Sequence, residues 1–186
     1  MDVAGDASGA IRLDAYQAGV SHLAAIVESG RLQHALWQAI EADGTVALHC
    51  PATIDSIARE GSLTRLTLAG GAVLETELLV GADGAASRIR DWAGLASTLI
   101  PYGQSGVVAN FECERAHHGT AFQWFFGGDI LAWLPLTRNC MSMVWSTPTA
   151  HADALVALDA ETLTEQVRAA GHDRLGAMRL LTPAAA

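Results

Sequence analysis

The chain has 186 residues, which suits one compact domain, or one large and one very small one. An apolar content of 51% against 17% charged residues excludes a disordered chain. The 11 basic and 20 acidic residues give a net charge of −9, which excludes non-specific nucleic-acid binding, because nothing would offset repulsion from phosphates.

The first ten residues, rich in Gly, Ala and Asp, read as loop, and the acidic start does not read as a signal peptide. Residues 11–15 are expected to form a short strand, and residues 22–27 a strand or a helix end. The clearest helix follows. Leu32, Ala35, Leu36, Ala39 and Ile40 recur at the spacing of one helical face. Ser29 is placed to cap it and Asp43-Gly44 to stop it. Residues 45–50, 54–59 and 63–68 read as strands, the first ended by Pro51. Gly70-Gly71 makes a hairpin turn, and residues 72–77 pair back. The apolar run Leu78-Leu79-Val80 reads as a buried strand. Gly81-Ala82-Asp83-Gly84 then turns the chain into a short helix over residues 87–93, with Gly94 as a left-handed cap.

The second half reads as an antiparallel meander of strands over residues 106–113, 120–126, 130–134 and 141–146. Gly127-Gly128-Asp129 and Thr137-Arg138-Asn139 are its turns. Phe122, Trp124 and Phe126 alternate onto one face, with Gln123 and Phe125 on the other. A helix over residues 152–158 follows. Asp159 caps another, with Leu163, Val167 and Ala170 buried and Gly171 at its end. The fold class expected is α+β: a mostly antiparallel sheet with flanking helices. Residues 1–97 would hold the helix, the hairpin and the glycine turn. Residues 98–186 would hold the aromatic sheet and the last helices, and the two would pack as one unit.

Two segments draw attention as sites. The run from Leu78 to Arg90 is an apolar strand, a tight turn and a helix start. The turn glycines permit positive φ and close approach of another group. The helix start offers unpaired N–H groups, and Arg88 and Arg90 add positive charge, which suits a phosphate. Asp83 would either accept from a ribose hydroxyl or brace the turn through local caps. The aromatic cluster of Phe122, Trp124, Phe126, Trp133 and Trp145 is either sheet core or an apolar wall for a ring substrate, or one on each face. No metal constellation is expected. There is no C-x-x-C, and His117-His118 read as a solvated turn. The three cysteines are odd in number and widely spaced, which fits reduced thiols in a cytoplasmic setting. No apolar run is long enough to span a membrane.

The segment G-A-D-G-A-x-S-x-x-R after an apolar strand resembles the second flavin-binding signature of the flavin-dependent aromatic hydroxylases. Ile26-Val27-Glu28-Ser29-Gly30-Arg31-Leu32 through Leu36 is similar to the I-V-E-N-x-x-L-x-x-A-L segment of the ubiquinone-biosynthesis hydroxylases. A third stretch also resembles that group. It runs from Thr120-Ala121-Phe122-Gln123-Trp124-Phe125 through Leu131-Ala132-Trp133-Leu134-Pro135-Leu136 to Ser142-Met143-Val144-Trp145-Ser146. The resemblance implies the middle, substrate-binding region of an FAD-dependent monooxygenase, which uses NAD(P)H and O2 to hydroxylate a phenolic, ubiquinone-precursor-like ring. It implies that Gly81, Asp83 and Gly84 meet the cofactor, with Arg31 and Glu28 behind them. Phe122, Trp124 and Trp133 would meet the substrate. No side chain here would act as a catalytic acid or base, because the flavin carries the chemistry.

The family's G-x-G-x-x-G unit and its G-D-A-A-H-type segment do not occur in the chain, so a complete Rossmann domain is not expected. Two readings follow: part of such a monooxygenase, or a non-catalytic α+β ligand-binding fragment that does not hold FAD alone. A further reading is a subunit completed by another chain. A prenylated phenol as substrate would imply peripheral contact with the inner membrane. Exposed apolar surface would favour self-association.

Overall fold

The computed structural model describes residues 1–6 and 8–186. In chain order its elements are β1 (Asp2–Gly5), β2 (Ala10–Arg12), α1 (Ser29–Asp43), β3 (Ile54–Glu60), β4 (Leu63–Leu68), β5 (Val73–Thr76) and α2 (Arg88–Trp92), followed by β6 (Gln104–Cys113), β7 (Phe122–Phe126), β8 (Asp129–Pro135), β9 (Cys140–Pro148), α3 (Thr149–Val156), α4 (Ala160–Ala170) and β10 (Met178–Leu180). They make an α+β fold divided into two units. One joins Met1–Leu32 to Pro101–Ala186, and the other is Gln33–Ile100.

The first unit is built on a seven-stranded sheet in the order β10-β6-β9-β8-β7-β1-β2. Strict alternation along each strand sorts its side chains. Val107, Ala109 and Phe111 of β6, Phe122 and Trp124 of β7, Leu131 and Trp133 of β8, and Met141, Met143 and Trp145 of β9 are buried on one face. Leu155 of α3 and Leu163 and Val167 of α4 close that core. The sheet departs from a simple meander. β7, β8 and β9 follow one another, but β6 pairs with β9 rather than β7. It is also mixed, because β1, in a stretch expected to be loop, lies parallel to β7. Residues 11–15 give only the end of β2, and residues 22–27 form neither helix nor strand.

The helical ends follow local chemistry. Asp159 Oδ1 accepts from Thr162 N at 2.9 Å, as a cap should. Gly171 ends α4 at an ordinary φ of −87°, so its role is space rather than a left-handed turn. A Cβ built there would lie 2.1 Å from Cη2 and Cζ2 of Trp133. Gly171→Ala is therefore expected to destabilise the unit by about 1–3 kcal/mol, the usual range for overpacking. Thermal unfolding followed by circular dichroism measures it. A melting temperature equal to the parent's would mean that the indole moves aside freely.

The second unit carries a three-stranded sheet, β3-β4-β5, with the expected turn at Gly70-Gly71. Thr64, Leu66 and Leu68 of β4 are buried. Trp92 of α2 donates its indole N–H to the Ile57 carbonyl at 2.8 Å, which ties the helix to β3.

Two expected strands are absent among the described residues. Over residues 45–50, the Asp43 carboxylate accepts from Thr45 N at 3.1 Å and turns the chain away from an extended path. Over residues 78–80, Thr76 Oγ1 donates to the Leu78 carbonyl at 2.8 Å and bends the chain off β5. No described strand pairs with this run, and Leu78 and Val80 are 76% and 70% exposed instead of buried. The apolar stripe of α1 forms at the expected spacing, yet every residue of the helix is exposed. His117, expected in a solvated turn, is buried, with Nδ1 accepting from Gly119 N at 3.1 Å. Among the described residues, no cluster of three His, Cys, Asp or Glu could hold a metal ion.

Candidate functional site

The glycine turn lies wholly in the second unit. Gly84 has φ +83°, which a side chain rarely adopts, and nothing lies within 4 Å of where its Cβ would stand. Its backbone is open to another group. Gly81 answers to packing instead, because a Cβ there would meet Ile89 Cβ and Cγ2 at 2.9 Å. Asp83 sits between them with its carboxylate turned into the helix start. It accepts from Ser87 Oγ, from Arg88 N at 2.8 Å and from Ile89 N at 3.2 Å. Ser87 Oγ accepts in turn from Arg90 N at 3.0 Å. The Ser87 hydroxyl above all, with the Ile89 and Arg88 amides, holds the Asp83 carboxyl below its ordinary value. The helix-start donors are thus engaged by the chain itself. Arg90 Nε is buried without a hydrogen-bond partner among the described residues, with the Asp91 carboxylate at 3.8 Å as its ion-pair neighbour. Asp83, Arg88, Ile89 and Trp92 border a cavity of about 400 Å³ against residues 52–57.

The first unit contains the other site. The sheet face opposite the core is uncovered in this unit. Cross-strand rows run over it: Asn110–Ser142–Leu134, Val108–Val144–Ala132–Gln123, and Gly106–Ser146–Ile130–Phe125. Val108 and Phe125 are 43% and 42% exposed, and the rest of the apolar members are half-buried. The segment just before α1 crosses one end of this face. There Glu28, Ser29, Val108, Asn110, Leu134 and Ser142 line a cavity of about 400 Å³. Arg31 is ion-paired with Glu28 one helical turn away.

The predicted residues are therefore distributed as follows. Gly81, Asp83 and Gly84 share one turn. Glu28 faces the open sheet, with Arg31 bound to it. Phe122, Trp124 and Trp133 stand on the opposite, helix-covered face, where Trp124 meets Trp133 edge-on at 4.9 Å between centroids. Asn110, Ser142 and Leu134 were not picked out from the sequence. Their signal was available in the alternation along β6, β8 and β9, which puts Asn110, Ser142 and Leu134 on the face opposite the buried Phe111, Met141, Met143 and Trp133.

No family model matches the chain. It is 34% identical over 173 residues to the 3-demethoxyubiquinol 3-hydroxylase of Escherichia coli (strain K12), covering 93% of this chain and 44% of that protein. It is 31% identical over 158 residues to the ubiquinone hydroxylase UbiL of Rhodospirillum rubrum, covering 85% and 37%. The human ubiquinone biosynthesis monooxygenase COQ6, mitochondrial, is 34% identical over 158 residues, covering 78% and 33%. The chain thus spans less than half the length of these curated relatives. Among solved structures, PqsL of Pseudomonas aeruginosa, a probable FAD-dependent monooxygenase, superposes with a TM-score of 0.63 at 21% identity, covering 81% of this chain and 46% of that one. HpxO of Klebsiella pneumoniae, complexed with FAD and uric acid, gives 0.59 at 16%, covering 84% and 38%. These two likenesses speak for the fold.

Proposed function

This chain is related to the ubiquinone-biosynthesis hydroxylases over a segment shorter than half their length, and on that premise we propose that it is the substrate-facing part of an FAD-dependent monooxygenase. The reaction is hydroxylation of a phenolic, ubiquinone-precursor-like ring with NAD(P)H and O2. The observation that carries this reading is the uncovered sheet face. It is a mostly apolar floor that also carries Gln123 and Ser146, and its cross-strand polar pair Asn110 and Ser142 lies beside the segment that brings in Glu28. Such a surface suits a flat ring with an oxygen substituent.

FAD, reduced by NAD(P)H, supplies the oxygen chemistry when bound. The chain's own residues position and shield. Gly84 leaves backbone open to the cofactor, Gly81 lets the turn close on Ile89, and Asp83 holds the turn's shape. Each unit offers its own polar contact to the cofactor: Arg90 Nε in the second and the Glu28–Arg31 pair in the first. Phe122, Trp124 and Trp133 serve the ring through the sheet, by fixing the floor from beneath. The uncovered face excludes water from the reacting ring once it is filled. Among the described residues, no helix is long and apolar enough to cross a membrane. A prenylated phenol as substrate would imply peripheral contact with the inner membrane, and the exposed apolar residues of α1 would favour self-association.

The test compares two proteins: this chain alone, and one that carries it together with the region its relatives have in addition. The longer protein is expected to purify with flavin absorbance and to oxidise NAD(P)H when given a phenolic substrate and O2. A longer protein that folds but holds no flavin would sink the proposal. Tight, stoichiometric FAD on this chain alone would instead show that it holds the cofactor by itself, and would end the fragment reading.

A further inference from the structure

The helix-covered side of the seven-stranded sheet has a cavity that the hydroxylase reading does not use. It measures about 570 Å³ and is lined by β1, β2, β7 and the segment after α4. That is within the usual range for small-molecule sites. Three charged residues organise it. Arg12 Nε donates to Asp2 Oδ1 at 2.9 Å, and Arg174 Nη2 donates to Asp2 Oδ2 at 3.0 Å. One carboxylate thus holds two guanidinium groups at one cavity. The hydrogen bond from Arg12, above all, keeps the Asp2 carboxyl below its ordinary value, so Asp2 is ionised at neutral pH.

The two arginines are not used up by this contact. Arg12 donates to Asp2 through Nε and Nη2, which leaves Nη1. Arg174 donates to it through Nη2, which leaves Nε and Nη1. Counted over Arg12, Arg174 and Asp2 the formal charge is +1, with the Met1 amine also acting on Asp2 and the Asp14 carboxylate on Arg12. Apolar surface lies beside this cluster. Arg174 stands 5.2 Å from the centroid of the Phe122 ring, and Trp124, Ala4 and Ala10 line the same cavity on the same face of the sheet.

We propose that this cavity binds a small aromatic monocarboxylate. The carboxylate takes the free donors of Arg12 and Arg174, and the ring lies against Phe122, Trp124 and Ala4, which share one face of the sheet. A planar guanidinium fork suits a carboxylate in two-point geometry. The central Asp2 sets the charge preference, because it leaves room for one negative charge and repels a dianion. The site does not depend on flavin.

Isothermal titration of this chain with benzoate tests it, with benzamide as the neutral probe of the same shape. Benzoate is expected to bind saturably, and benzamide about tenfold or more weakly, the usual effect of losing a charge-assisted contact. Arg174→Gln should weaken benzoate to a similar degree. Asp2→Asn should tighten it, because the competing carboxylate is gone. Circular dichroism checks that each variant folds. If Arg174→Gln fails to fold, Arg12→Gln takes its place. Absence of benzoate binding, equal binding of benzamide, or undiminished affinity in a folded arginine variant each overturns the proposal.

Discussion

Trp133→Ala is expected to cost the first unit about 3–5 kcal/mol of stability, the range for deleting a large buried aromatic side chain. The indole is 1% exposed, meets Trp124 edge-on, and is the surface on which Gly171 rests. Removing it leaves a void between β8 and the end of α4, which the close-packed strands cannot fill without shifting. Thermal unfolding should show the melting temperature falling by about 10 °C or more. Trp133→Phe is expected to be much milder. The Trp133 indole N–H has no hydrogen-bond partner among the described residues, so its loss removes no bond. The two substitutions separate the two meanings of an aromatic cluster. A core residue loses stability on truncation. A substrate wall on an open face would change ligand binding and leave the melt nearly unmoved, and that outcome would overturn the core placement.

Asp83→Ala should release the start of α2. Three donors converge on this one carboxylate, and two of them are the Arg88 and Ile89 amides. Their hydrogen exchange is expected to rise about tenfold or more, as for loss of a helix cap. Asp83→Asn, which keeps one neutral acceptor, should fall between. Acid should act like the alanine variant. The folded carboxyl lies below its ordinary value of 3.8, so its contribution is present above that value and is lost as pH falls through the depressed one. Asp83→Asn should abolish that acid dependence. In a protein carrying the rest of the relatives' length, Asp83→Ala is also expected to lower flavin content. Faster exchange with unchanged flavin would leave the turn a structural brace, and the assignment of Gly81, Asp83 and Gly84 to the cofactor would be dropped.

Much of the architecture was written in local pattern. Alternation located β6 to β9 to within a few residues, and Phe122, Trp124 and Phe126 share the face expected of them. Capping chemistry located the start of α4, because Asp159 acts within one turn of chain, whereas Gly171 at its end answers to Trp133 of a distant strand. The strand order was not written there. β6 lies beside β9 rather than β7, and β1 lies beside β7 more than a hundred residues away, as registers between distant segments decide. The candidate site divides in the same way. The Gly81–Gly84 turn was legible because its glycines and Asp83 are neighbours in sequence. Asn110, Ser142 and Leu134 were not, because they meet only across three paired strands.

The clearest contrast is between two apolar runs of similar composition. Leu131-Ala132-Trp133-Leu134 becomes β8, paired on both sides and buried on one face. Leu78-Leu79-Val80 has no pairing strand among the described residues, and Leu78 and Val80 stand exposed. By itself, the amino-acid order determined periodicity, turns and caps, since these depend on neighbours a few residues apart. Only the tertiary structure decided which apolar faces are buried. Removing a side chain from water requires a second surface, and completing a strand requires a partner's N–H and C=O groups, and neither is encoded in the run itself.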